Sequence, residues 1–197
     1  MSIFIYGTII GLVIVLVAIQ LVSDVWFRLR KTTRIADCRD GKVVKVVGRA
    51  VAITALTAPF SGRACVAYRI TATRKQTRQK KGAAHAHFDK FIVKDDSGEA
   101  IVDPGGLTRL GHVHLRIDTD FDTKQRWQGL DVQNLPGLAL LDLPKADHAD
   151  EAIVEVGERV AVLARVVIEG DQIRLVPHHG KSMIVTDQPR LIGRVRS

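Results

Sequence analysis

Two patterns of apolar residues divide the chain. From Ile3 to Val22 runs a stretch of 20 residues without a single charge. As a helix rising about 1.5 Å per residue, it would cross a hydrocarbon core of about 30 Å. Beyond it the apolar positions recur every second residue and are rich in valine and isoleucine, which predicts strands. The pattern places a long strand over 41–52, with Gly48 marking a bulge or sharp coil. A second strand covers 64–73. A hairpin over 88–94 and 100–103 turns at Asp95-Asp96-Ser97-Gly98. Further strands follow over 112–117 and 151–156. A second hairpin over 159–168 and 172–176 turns at Glu169-Gly170-Asp171, and a last strand covers 183–186. A long strand, a hairpin, a variable connection and a strand with a hairpin return predict a mainly β fold. The expected form is an OB-like small Greek-key barrel preceded by one transmembrane α-helix. The segment 107–150 is then an insertion, in which Pro136 and Pro144 confine an apolar run to a helical turn or two. Two β-hairpin subdomains packed side by side are the alternative. The expected organisation is an anchor over 1–22, a basic juxtamembrane segment over 23–40, the β domain over 41–187 and a basic tail over 188–197.

A cleaved signal peptide would need a basic start and a small-residue cleavage site. Neither is present, so a retained single-pass anchor is expected. Arg28, Arg30, Lys31 and Arg34 follow the span and no base precedes it, which places the C-terminal domain in the cytoplasm. Trp26 and Tyr6 fit an interfacial aromatic belt, while the plainer reading of Trp26-Phe27 is packing against the soluble domain, and both can hold. Gly7 and Gly11, four apart on one helix face, would let a second helix approach and form a homodimer through the span.

Composition excludes several classes. Of 197 residues 46% are hydrophobic and 25% charged, which rules out a wholly disordered chain. Two cysteines cannot build a disulfide scaffold or a cysteine-rich zinc site. The 29 lysines and arginines exceed the 21 aspartates and glutamates by 8. This surplus is local. Residues 23–34 hold a net of three positive charges and residues 69–81 hold six with no acid, so the remainder is close to neutral. The second run, with Arg74, Lys75, Arg78, Lys80 and Lys81, reads as an exposed hairpin tip or mobile loop. It is a solvated charge run or a contact for anionic lipid headgroups. Nucleic acid is not expected, because no aromatic platform lies between Tyr68 and Phe88.

The histidines include two pairs at strand spacing, His85 with His87 and His112 with His114. Each pair would present two imidazoles on one face, and their meeting would suit zinc, copper or nickel. Ordinary surface histidines are the plainer reading. Cys65 reads as a buried structural thiol. No phosphate-binding loop, nucleophile elbow, zinc-protease or dinucleotide motif occurs, so neither catalysis nor a cofactor is expected.

One segment, Leu56-Thr57-Ala58-Pro59-Phe60-Ser61-Gly62-Arg63-Ala64-Cys65-Val66-Ala67-Tyr68, resembles the L-x-[SA]-P-x-[ST]-G-x-x-C-V-x-Y block of the GIDE family. The soluble module of that family is also called BAM, for beside a membrane. Residues 91–104, Glu151 with 156–162, and 183–187 are similar to its later blocks, so the resemblance spans roughly 41–187. It implies a membrane-adjacent β module with a recognition or regulatory role. Eukaryotic members are mitochondrial ubiquitin ligases with two spans and a RING. Here no cysteine follows Cys65 and no second span is present, so ubiquitin transfer is not carried over. Membrane-anchored OB domains of the NfeD type are a more distant comparison. The expected function is protein binding or scaffolding at the membrane surface, by strand addition at a sheet edge. The turn Pro59, Phe60, Ser61, Gly62 and Arg63 is the expected recognition loop, or else only a fold-building turn. The competing readings are a metal-binding protein or enzyme using the histidines, and an OB-like domain binding anionic lipid or nucleic acid.

Overall fold

The valine-rich strands close on themselves. The computed structural model describes residues 27, 29–76, 79–105, 113–116, 121–122, 148–178 and 183–192. Five strands form a closed barrel: β1 (Val43–Ala52), β5 (Phe91–Asp95), β6 (Gly98–Val102), β10 (Arg159–Glu169) and β11 (Gln172–Val176). Around the barrel the order is β1-β5-β6-β11-β10, and β10 returns to pair with β1. The β6–β11 pair is parallel and the other four are antiparallel. Alternation dictates the interior. Val44, Val46 and Ala50 of β1, Phe91 and Val93 of β5, Ala100 and Val102 of β6, and Val160, Val162, Ala164 and Val166 of β10 are all buried in one cluster. Each fully buried valine contributes about 1.5–3 kcal/mol. Two further strands extend this sheet: β12 (Met183–Thr186) pairs with β10, and β7 (Val113–Arg116) pairs in parallel with β12.

Gly48 has a physical cause other than the expected bulge. The β1–β10 ladder runs without a shift from Val43↔Arg165 to Arg49↔Arg159. At Arg49, β1 also takes up β5, which it pairs with through Ala52. The crossover brings backbones together, and a Cβ on Gly48 would lie 2.4 Å from the Lys94 carbonyl oxygen. A strand shared between two neighbours needs this close approach, and only glycine permits it.

The two long connections of the barrel build a second sheet. Between β1 and β5 lie β2 (Leu56–Thr57), β3 (Ala64–Gln76) and β4 (Gln79–Phe88). Between β6 and β10 lie β8 (Phe121–Asp122) and β9 (His148–Glu155). β3 is central, with β4 and β2 along one edge and β9 along the other, and β8 pairs with β9. Val66, Ala67, Phe88, Ala152 and Val154 of this sheet join the barrel's core cluster. The predicted strand over 88–94 is therefore two strands. Asp89 and Lys90 turn the chain from the second sheet into the barrel, with Phe88 and Phe91 edge-on at 5.6 Å. The second strand and the 151–156 strand belong to this sheet, not to the barrel.

The predicted span over 3–22, Gly7, Gly11, Tyr6 and Trp26 lie outside the described residues. Among the described residues no helix is long and apolar enough to cross a membrane. Most of the 107–150 insertion, including His112, also lies outside them. The expected juxtamembrane segment of 23–40 is in its latter part a piece of the barrel. Thr33 N–H donates to the Lys45 carbonyl at 2.8 Å, and Ile35 N–H to Asp95 Oδ2 at 2.9 Å. It covers the stretch of β1 that β5 does not reach.

Candidate functional site

Alternation assigns one face of the second sheet to Tyr68, Ile70 and Ala72 of β3. Their cross-strand partners there are His87 and His85 on β4, and Ile153, Glu151 and Ala149 on β9. A register shift between Cys65 and Ala67 turns Cys65 to this same face, away from the barrel. Tyr68, Ile70, Ala72, Ala149, Ile153 and Cys65 pack there with Ala58 and Phe60 from the 58–63 loop.

That loop is held down by a carboxylate. Glu151 is 1% exposed. Its two oxygens accept the Phe60 N–H at 2.7 Å and the Ser61 N–H at 2.9 Å. The turn closes on itself through Gly62 N–H to the Ala58 carbonyl at 2.9 Å and Ala58 N–H to the Arg63 carbonyl at 2.9 Å. Gly62 sits at φ 70°, in the left-handed region. Arg63 pairs with Glu155. Phe60 is buried, so of the five expected recognition residues it faces inward, while Pro59, Ser61 and Arg63 are half-buried and Gly62 is exposed. The arrangement ties 58–63 to β9.

Both cysteines are free and buried. Burial, reinforced by the negative charge of Glu151, pushes the Cys65 thiol up to about 11. Burial also raises Cys38 and Tyr68. A thiol so raised is a poor nucleophile at neutral pH. His87 stacks on Tyr68 at 5.6 Å, and the His85 ring lies tilted to it at 6.1 Å. Burial and the neighbouring His87 lower the His85 pKa, which keeps its ring neutral at pH 7. The expected metal ligands are divided: His85 and His87 stand on β4 of the second sheet, while His114 lies on β7, beside β12 of the barrel sheet. No group of three or more histidines, cysteines or acids suited to a metal occurs among the described residues.

The basic run forms the far end of the β3–β4 hairpin. In the backbone register Arg74 is opposite Lys81, and Lys75 is opposite Lys80. Arg78 lies outside the described residues, between the two strands. Like charges directly opposite each other cost about 0.5 kcal/mol a pair relative to neutral partners. The run is thus four cations on two adjacent rungs of a ladder, rather than a loose loop.

Sequence reasoning missed two buried polar anchors, besides overlooking β2, β4 and β8. Asp103 is 1% exposed and receives the Gly105 N–H at 2.8 Å, Lys90 Nζ at 3.0 Å and the Arg174 guanidinium. Burial alone would raise its pKa, but these donors outweigh it and hold the carboxyl below the usual range. Lys45, in the middle of a valine strand, is also 1% exposed. Its alternation with Val43 and Val47 was the available signal, since it marks a polar residue on the barrel's outer face.

Comparison with known proteins finds no matching family model, no similar curated protein and no similar solved structure.

Proposed function

We propose that this chain is a membrane-anchored, non-catalytic binding module. In this reading residues 3–22 span the bilayer, the barrel lies on the cytoplasmic side, and the β3–β4 hairpin meets the anionic headgroups of the same membrane. The observation that carries the reading is the pairing of Arg74 with Lys81 and Lys75 with Lys80 on adjacent rungs. Such rungs are unfavourable alone and become favourable against a polyanionic surface, where each cation is worth about 1 kcal/mol. A tethered domain has already met much of the cost of association. The Greek-key order of five strands closed by β10 against β1 supports an OB-type barrel. A place beside the GIDE module rests on the block from Leu56 to Tyr68, whose Pro59–Arg63 turn Glu151 holds.

The test uses the full chain in lipid nanodiscs, with an environment-sensitive fluorophore at Thr77. Discs containing phosphatidylserine should shift its emission to the blue, and 0.5 M salt should reverse the shift by screening. Replacing Arg74, Lys75, Arg78, Lys80 and Lys81 by glutamine should abolish it. Equal emission on neutral and anionic discs would overturn the lipid reading. A second reading is favoured by β4, whose only ladder partner among the described residues is β3. Its other edge would accept a strand from a protein partner. Salt-insensitive capture of an extended peptide by the glutamine variant would favour that reading instead.

A further inference from the structure

We infer that the outer face of β1 and β10 is the seat of the chain's own N-terminal helix end, so that the segment before the barrel and the barrel move as one body. The seat is apolar with one cation in it. Val47, Ala161 and Leu163 are buried in a cluster with Phe27 and with Ile192 of the short C-terminal helix Pro189–Ile192; Val43 and Ile184 pack against it. Phe27 is 0% exposed, although it precedes the barrel by 16 residues (Phe27 to Val43). Phe27 and Leu29 are helical, and the chain bends at Arg30.

The last carbonyls of a helix have no partner within it. Here Lys45 Nζ donates to the Phe27 carbonyl at 3.3 Å. The same ammonium lies 4.6 Å from the centre of the Phe27 ring. A cation that donates to a backbone carbonyl and lies over an aromatic face is doubly favoured there. The segment that follows is fastened along β1. The Arg30 guanidinium donates to the Val43 carbonyl, Thr33 N–H to the Lys45 carbonyl, and Thr32 forms a parallel bridge with Lys45. The turn at 95–98 fixes the next stretch, through Ile35 N–H on Asp95 and Ala36 N–H on Ser97 Oγ at 3.0 Å. Phe27, Arg30, Thr32, Thr33, Ile35 and Ala36 are thus bound to the barrel where a linker would be free.

Burying a lysine costs stability, and the barrel wall would tolerate an apolar residue at 45 at least as well. The ammonium's contacts to the Phe27 carbonyl and ring fasten the docked segment. Two variants separate these roles. Lys45→Met keeps the stem and removes the donor; Phe27→Ala removes the ring and leaves the barrel wall intact.

The experiment is limited trypsin digestion of the full chain in neutral detergent, read by mass spectrometry at Arg30, Lys31 and Arg34. The wild type should be cut there at least a hundredfold more slowly than a free peptide of residues 23–40. Both variants should be cut at least tenfold faster than the wild type, while Lys45→Met keeps or raises the thermal midpoint. Cleavage of the wild type at the free-peptide rate would overturn the inference. So would folded variants cut at the wild-type rate. Should either variant not fold, the other and the wild-type comparison decide. Neutral detergent offers no anionic surface, so the outcome is independent of the hairpin's ligand.

Discussion

Replacing Glu151 by glutamine isolates the carboxylate that holds the 58–63 loop. The side chain keeps its size, so no cavity forms. One oxygen remains to accept the Phe60 N–H, but the new amide nitrogen faces the Ser61 N–H, donor against donor. In the native protein both contacts are charge-assisted and short, at 2.7 and 2.9 Å. A hydrogen bond to a charged group contributes about 1.5–3 kcal/mol, and a buried donor left without a partner costs about 1–3 kcal/mol. Ser61 is half-buried, so water can recover part of the loss. We expect the variant to be less stable by about 2 kcal/mol, which lowers the thermal midpoint of a domain this size by roughly 4–8 °C. Circular dichroism against temperature measures the midpoint. Amide hydrogen exchange at Phe60 and Ser61 measures the loop, and protection there should fall while Val162 in the barrel keeps its own. A midpoint within 1 °C of the wild type, with Phe60 still protected, would refute the account of Glu151 as the loop's anchor.

Gly48→Ala places a methyl group against the Lys94 carbonyl, at a Cβ–O distance of 2.4 Å, where backbone must move; we expect a loss of about 3 kcal/mol or more, seen as a lowered denaturation midpoint. For Asp95, burial would raise the pKa, but hydrogen bonds from Ser97, Gly98 and Ile35 outweigh it and hold the carboxyl below its ordinary 3.8. Its contribution is therefore full above about pH 4 and is lost as pH falls through the lower folded value. The stability gap between wild type and Asp95→Asn should be constant from pH 5 to 7 and shrink below pH 4 in urea titrations; a gap that persists at pH 2 would contradict this. With Cys65 pushed up to about 11 and Cys38 also raised, neither thiol should react with Ellman's reagent at pH 8 until the protein unfolds.

What could be read from the sequence was local, and what could not was long-range. β10 and β11 announce themselves by alternating valines and a Gly170 turn, and the structure places them over Arg159–Glu169 and Gln172–Val176. β4 has no such pattern. Its Gly82-Ala83-Ala84 core has poor strand propensity, and a ladder from Ala67↔Phe88 to Gln76↔Gln79 holds it in place. Of the two readings of the basic run, the structure gives the hairpin tip over the mobile loop; propensity describes a strand's fit to a surface, and that surface is β3. The Pro59–Arg63 turn was recognisable, but its anchor is about 90 residues away on β9, and no spacing rule connects the two. Packing of Phe27 against the soluble domain was one reading of the Trp26-Phe27 pair, but its pocket, formed by β1 and β10, exists only once the barrel closes.

The closing ladder of the barrel also sets a schedule. Val43 pairs with Arg165, 122 positions later in the chain. At a synthesis rate of about 5–20 residues per second, the first strand waits roughly 6–24 s for its partner. During that interval the chain presents Val43-Val44-Lys45-Val46-Val47 beside an apolar N-terminal segment, a combination prone to misassociation. Lys45 interrupts the valines at their centre with a charge, and segment 30–33 can line one edge of the strand from the moment both have emerged. The residue that later disappears under Phe27 thus acts first as a gatekeeper for the nascent strand.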